Sequence, residues 1–524
     1  MAFLRSIATV GGYTGISRVL GFMRDILIAD VIGTGPVADA FFVAFRLPNL
    51  FRRLFAEGAF NAAFVPLFAR RLEEGGGAAA RAFAEETLAI LLTTLLLLTA
   101  IAMAGMPWLM YVLAPGFSVD PGKFDLTIQL SRITFPYLLF MALVALLGGV
   151  LNSLYRFAAA AAAPILLNVF FILALVAVLP LVGTPGHVLA WTVAAAGIGQ
   201  FLLLQAACGR AGMTLRLARP RLTAGIRRLL KLMVPGLLSA GALQINLMVG
   251  TIIASLQAGA VSYLYYADRV YQLPLGLIGI AIGIVLLPDL SRKLRSGAKG
   301  EAMASLNRGL ELALLLTLPA TVALIVMPWP IVVVLFERGA FDRAAAEATA
   351  LALAAFALGL PAYVLVKLLQ PAFFAREDTV TPLKMAVASV AANIALSLAL
   401  FWSLGHFWSV GHVGIALATA LAAWLNTALL AVSLRRRGFL ALDTRLKSRL
   451  PRALAASLVM GAALWGGSGW LEPWFDGPAG LRVLALAILV AGGLALYAGL
   501  ALPLGAVSRG ELAALARRVR QAPR

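Results

Sequence analysis

The chain has 524 residues, 62% of them hydrophobic and 13% charged, and its Lys and Arg outnumber Asp and Glu 43 to 23. At about 20 apolar residues per membrane crossing, that length and a mean hydropathy of +0.94 admit roughly a dozen or more helical spans and exclude a soluble domain of ordinary size. The single cysteine, Cys208, excludes an internal disulfide and a cysteine-built metal cluster and reads as a small apolar packing residue.

Hydropathy predicts an all-α polytopic membrane protein of about fourteen transmembrane helices. They fall near 6–30, 37–68, 87–113, 127–154, 162–181, 187–208, 229–256, 262–290, 306–335, 345–369, 382–404, 412–434, 451–470 and 482–504. The first apolar run is broken by Gly11-Gly12, carries Arg18 and Arg24 and lacks a small-residue cleavage site. It is therefore expected to be a span and not a signal peptide. The second span contains Pro48, which removes a backbone donor and is expected to bend the helix and open room beside its charges.

Those charges are the most informative feature of the chain. Arg18, Arg24, Asp39, Arg46, Arg52, Arg53 and Glu57 all lie in the first two spans. Each arginine near a bilayer centre costs roughly 2.5–3.5 kcal/mol, so the set is expected to line a cavity for something anionic. Asp39, Arg46 and Arg53 recur at intervals of seven, which on a straight helix drifts only about 20° per step and makes one stripe. Arg18 and Asp25 share that spacing on the first span, whereas Arg24, Arg52 and Glu57 lie off the stripes. Pairing between helices would account for Arg18, Asp25 and Asp39 as mutual neutralisation, but not for the excess of positive charge. Arginine's planar fork suits phosphate, so a phosphorylated or otherwise polyanionic cargo is the sharper reading. Later in the chain, Asp268-Arg269 and Lys367 lie inside spans, and Arg269 is the candidate for an opposite wall of the cleft.

Counting Lys and Arg in alternate connections gives a large asymmetry. Arg210, Arg216, Arg219, Arg221, Arg227, Arg228 and Lys231 precede the seventh span, and Arg435, Arg436, Arg437, Arg445, Lys447, Arg449 and Arg452 fill the connection before the thirteenth. The opposite loops offer little beyond Lys123, Arg338, Arg343 and Arg482. By the positive-inside rule both termini are expected to be cytoplasmic. Basic residues scattered over inner loops meet anionic membrane lipids, so the net charge of +20 does not imply nucleic acid.

The chain repeats itself weakly at an offset of about 220 residues. Pro66-Leu67-Phe68-Ala69-Arg70-Arg71-Leu72 answers to Pro288-Asp289-Leu290-Ser291-Arg292-Lys293-Leu294, and Leu47-Pro48 to Leu273-Pro274. Pro115-Gly116-Phe117 with Asp120 parallels Arg338-Gly339-Ala340-Phe341-Asp342, and Tyr155-Arg156 before Pro164 parallels Ala375-Arg376 before Pro382. Six spans per copy is an even number, so the copies share one orientation. The expected organisation is an N-terminal lobe over 1–222, a second lobe over 223–440, and two additional helices with a basic tail over 441–524. Two such lobes around a midplane site make an alternating-access transporter.

Three stretches carry a family resemblance: Ser17-Arg18-Val19-Leu20-Gly21-Phe22-Met23-Arg24-Asp25, Ala38-Asp39-Ala40-Phe41-Phe42-Val43-Ala44-Phe45-Arg46-Leu47-Pro48-Asn49-Leu50-Phe51-Arg52-Arg53, and Phe55-Ala56-Glu57-Gly58-Ala59-Phe60. Together with Tyr265-Tyr266-Ala267-Asp268-Arg269, Phe336-Glu337-Arg338-Gly339-Ala340-Phe341-Asp342 and Phe373-Phe374-Ala375-Arg376-Glu377-Asp378, they resemble the MurJ (MviN) lipid II flippases. The resemblance implies the multidrug/oligosaccharidyl-lipid/polysaccharide (MOP) exporter fold. It also implies transport of the undecaprenyl-pyrophosphate-linked peptidoglycan precursor from the inner to the outer leaflet of the bacterial cytoplasmic membrane. By it, Arg18, Arg24, Arg52 and Arg269 match the family's critical cleft arginines, Asp39 its critical acid and Glu57 an acidic motif residue. Arg46 and Arg53 join the candidate substrate-binding set through their stripe. The cell-wall synthesis machinery is a candidate partner.

Other classes fit less well. His187, His406 and His412 have no ligand spacing to one another or to a carboxylate pair, so no enzyme chemistry, metal or cofactor is expected. Spans seven, eleven and twelve contain no Asp or Glu from which to build a carboxylate cation site. A sibling exporter of drugs or other lipid-linked glycans is the alternative, and Arg18, Arg24 and Arg52 argue against a cationic drug.

Overall fold

The computed structural model describes residues 2–54 and 60–506, and every secondary-structure element named in them is helical. Lipid offers no partner to a backbone N–H or C=O, so each span must satisfy its own, which a helix does. The chain divides into two compact units, Met1–Ser262 with Arg338–Phe341, and Tyr263–Glu337 with Asp342–Arg524.

The first unit contains α1 (Ala2–Ile32), α2 (Pro36–Leu54), α3 (Phe60–Ala104), α4 (Met106–Leu113), α5 (Pro121–Thr134), α6 (Tyr137–Ser153), α7 (Phe157–Leu173), α8 (Leu179–Val182), α9 (Pro185–Arg210) and α10 (Ala224–Ala254). A π-helical segment, Ala174–Val178, joins α7 to α8. α2 continues through Pro48, and the second predicted span passes into α3, which kinks at Gly76 where φ is +69°. The core at one end of this unit is aromatic. Phe60, Phe64 and Phe68 lie a turn apart on α3, with ring centroids 5.3 Å apart for Phe60 and Phe64, and 5.6 Å apart for Phe64 and Phe83. Leu146, Val150, Leu204 and Cys208 close over them, so the lone thiol is a packing group. Ile226, Leu229 and Met233 of α10 enter the same cluster. The compact unit that holds α10 runs on to Ser262.

The second unit contains α11 (Ala260–Arg295, from Tyr263), α12 (Lys299–Val326), α13 (Pro328–Phe336), α14 (Arg343–Ala357), α15 (Leu360–Phe374), α16 (Val380–Trp408), α17 (Gly411–Arg436), α18 (Thr444–Trp470), α19 (Glu472–Phe475) and α20 (Ala479–Ala501). α18 is fastened to α12 by charge: Glu311, 9% exposed, accepts from Arg308, Arg445 and Arg449 at once. At the corner after α15, hydrogen bonds from Thr381 and then from Arg437 hold the Asp378 carboxyl down at about 2.

Among the described residues, nine helical stretches are long and apolar enough to cross a membrane. The other predicted spans are helical as well in their described residues, and their charges, such as those of α1 and α2, lower their hydropathy. Leu97, Ile101, Leu202, Trp402 and Val483 are each more than half exposed, apolar surface that lipid covers.

The corners of the two sequence copies share local geometry. Tyr155 and Glu377 adopt left-handed φ of +58° and +62° just after α6 and α15. The following N–H of Arg156 bonds Leu151 O at 2.8 Å, and that of Asp378 bonds Phe373 O at 3.1 Å, the same helix-ending pattern. Tyr155 thus answers to Glu377, two residues beyond the match drawn from Arg156 and Arg376. Asp120 and Asp342 likewise cap α5 and α14, accepting from Lys123 N at 3.1 Å and Ala345 N at 2.8 Å.

Candidate anion site

Arg24 lies on the buried face of α1, 7% exposed, with its guanidinium held on several sides. Its Nε and Nη2 donate to Asp25 Oδ1 at 3.0 and 2.7 Å, its Nη1 donates to Asn168 Oδ1 at 3.1 Å, and the Phe171 ring centroid lies 5.3 Å from its central carbon. Asp25 shares a spacing of seven with Arg18, and it forms an ion pair with the adjacent Arg24. Arg18 is exposed.

Asp39 is buried completely and is surrounded by donors. Lys123 Nζ approaches Oδ2 at 2.7 Å and Gly259 N at 3.0 Å, while Ser262 donates to Oδ1 from its hydroxyl at 2.5 Å and its backbone at 3.0 Å. The carboxylate thus ties α2 to α5 and to the corner between α10 and α11. Arg46, one stripe position on, hydrogen-bonds Thr251 Oγ1 of α10, whereas Asp39 meets α5 and the corner that follows α10. Arg46 also lines a small, largely apolar cavity with Val43, Leu50, Leu113 and Met248.

Arg52, off the stripe and half-buried, donates from Nε to Asn49 Oδ1 at 3.2 Å. Arg24 and Arg52 both lie within Coulombic reach of the fully buried Tyr137 hydroxyl, so these two expected site residues share a neighbourhood. The Arg53 side chain and Glu57 lie outside the described residues. Arg269 belongs to the second unit, where its guanidinium carbon stands 4.7 Å from the Tyr265 ring centroid. Among the described residues, no three His, Cys, Asp or Glu side chains come together as metal ligands.

Two residues of this region escaped the sequence. Lys123 reads as an ordinary loop cation beside Pro121-Gly122, yet it is the counter-charge of Asp39. Nothing in the sequence around Lys123 marks that role. Asn168 sits in an apolar run of α7, 5% exposed. Its Nδ2 donates to Ser17 O at 2.9 Å. A carbonyl can only accept and a guanidinium can only donate, so these two contacts fix the amide with Oδ1 toward Arg24. Asn168→Ala strands part of that network, which costs about 1–3 kcal/mol for a buried polar group. Thermal stability of purified Asn168→Ala, read by size-exclusion profiles after heating, is therefore expected to fall. Unchanged stability would show that Asn168 does not hold Arg24.

The family model described as "Lipid II flippase MurJ" matches residues 28–484. A "Probable lipid II flippase MurJ" of Rhizobium meliloti (strain 1021) is 47% identical over 515 residues, covering 97% of this chain and 95% of that protein. One of Vibrio cholerae is 37% identical over 511 residues, covering 96% of each. A solved lipid II flippase MurJ in an inward closed conformation superposes with a TM-score of 0.75 at 25% identity, over 94% of this chain and 97% of the other. An inward-facing MATE transporter of the MOP superfamily shares the fold, with a TM-score of 0.67 at 14% identity over 80% and 94% of the two chains. With a family match across most of its length and relatives aligned nearly end to end, the chain belongs to the lipid II flippase MurJ family.

Proposed function

We propose that this chain is a transporter that carries lipid II, the undecaprenyl-pyrophosphate-linked peptidoglycan precursor, from the inner to the outer leaflet of a bacterial inner membrane. The observation that carries the reading is the 47% identity to a lipid II flippase relative over 97% of the chain. The chemistry of the first unit supports it. A pyrophosphate needs cations, and Arg18, Arg24, Arg46, Arg52 and Arg53 outnumber the acids Asp25, Asp30, Asp39 and Glu57 of the first two predicted spans, while Lys123 meets Asp39. Arg24 is engaged by Asp25, so a pyrophosphate would bind it by competing with or joining that carboxylate. Arg269, Arg53 and Glu57 belong to the proposed site through their motifs. We place both termini in the cytoplasm, from the loop charges, with inner loops open to the cell-wall synthesis machinery.

Depletion of the protein in its native bacterium, followed by measurement of the leaflet distribution of the precursor, tests the reading. Inner-leaflet accumulation is expected, and an unchanged distribution at full depletion would refute it.

A further inference from the structure

Two contacts in the first unit repeat each other with their partners exchanged. After α4, Gly116 presses on the end of α10: its N–H donates to Ser255 Oγ at 3.2 Å, and a Cβ added there would come within 2.2 Å of Ser255 O. After α13, Gly339 presses on the end of α1, where Ala340 N donates to Asp30 O at 2.7 Å and a Cβ on Gly339 would come within 2.3 Å of that same oxygen. Gly33 completes this second contact, since a Cβ on it would lie 2.1 Å from Ala340 O. Gly33 and Gly339 also hold φ of +54° and +51°, which glycine adopts without strain.

The internal repeat gives the arrangement its meaning. The corner at Gly116 answers to the corner at Gly339, and α1 answers to α10, so each copy's corner rests on the first helix of the other copy. Ser262 and Asp39, which bond each other, also hold equivalent places, each near the start of its copy's second helix. Side chains interlock strongly and part slowly. These two contacts are instead made of backbone, close approach and short polar groups, which water can replace when they separate.

We propose that the Gly116–Ser255 and Gly339–Asp30 contacts are paired latches that join the two sequence copies at the membrane face assigned by the loop charges to the outside, and that they open together when that face admits water. The proposal rests on the reading of the chain as an alternating-access transporter, and its test uses a readout that needs no cargo.

Val43, 3% exposed and lining the cavity beside Arg46, is the reporter position. In Val43→Cys protein in whole cells, Gly116→Ala, Gly339→Ala and the double variant should raise the rate of modification by a membrane-impermeant thiol reagent, by roughly tenfold or more in the double variant. Gly35→Ala is the control, because it lies at the same corner with nothing within 4 Å of its Cβ, and it should leave the rate unchanged. A second test does not depend on tolerance of a side chain at the glycines. Asp30→Cys with Ala340→Cys, once oxidised, should abolish labelling of Val43→Cys and growth complementation together, and reductant should restore both. Unchanged labelling in a normally abundant double alanine variant, equal labelling in Gly35→Ala, or full complementation by the cross-linked protein would each overturn the latch. If labelling responds as expected while precursor distribution does not, the latch stands and the cargo assignment falls.

Discussion

Asp39→Ala is expected to reduce membrane abundance and thermal stability together, because it leaves the Lys123 ammonium buried at 8% exposure without its carboxylate. Removing one partner of a buried ion pair costs about 3–5 kcal/mol, a large share of the stability of most proteins. The three remaining donors, Gly259 N, Ser262 N and Ser262 Oγ, lose their acceptor at the same time. A second change at the other partner should reverse part of the loss. Asp39→Ala with Lys123→Met removes both charges, and abundance is expected to recover toward that of the unmutated protein even where growth complementation does not. Thermal stability in detergent, read by size-exclusion profiles after heating, checks both variants. An Asp39→Ala protein as stable as its parent would show that the carboxylate acts on cargo alone.

The two arginines that share a neighbourhood should separate in the opposite sense. Arg52 is half-buried and its described bond is to an exchangeable amide of its own helix, so Arg52→Ala should abolish complementation at nearly normal abundance. Arg52→Lys should rescue only partly, since it keeps the charge and loses the planar fork. Arg24→Ala should lose both activity and abundance, because it removes the ion pair and hydrogen bonds that Arg24 gives the buried Asp25 carboxylate and Asn168. Reading Arg24 as a residue facing water would have predicted no such loss of abundance. Burial and the Asp25 pair are what change the expectation. Equal abundance of Arg24→Ala and Arg52→Ala, with growth intact in both, would remove both residues from the site.

Much of the fold was legible because lipid imposes so few solutions. The predicted spans fall on helices because a run of apolar residues in a membrane has little else it can do. The stripe of Asp39 and Arg46 was legible too, since spacing by seven is nearly two whole helical turns. What periodicity could not carry was the identity of partners. Asp25 pairs with its neighbour Arg24 because a long guanidinium can fold back along its own helix, a choice of rotamer that spacing does not determine. Lys123 and Asn168 act through the packing of α5 and α7 against other helices, and each is silent in its own local sequence. The packing of Ile226 and Leu229 of α10 into the aromatic cluster of α3 is likewise not registered by composition and charge counts.

In the proposed function, positive charge held in the first unit moves a lipid-linked pyrophosphate between leaflets. The most direct measurement compares leaflet distributions in a depleted strain restored with either the unmutated protein or Arg52→Ala at matched abundance. A membrane-impermeant reagent that attacks the precursor's sugar-peptide head reports the fraction outside. The unmutated protein should return the precursor to the outer leaflet and Arg52→Ala should leave it inside. Equal outer-leaflet precursor in the two strains, or none in either, would contradict the account.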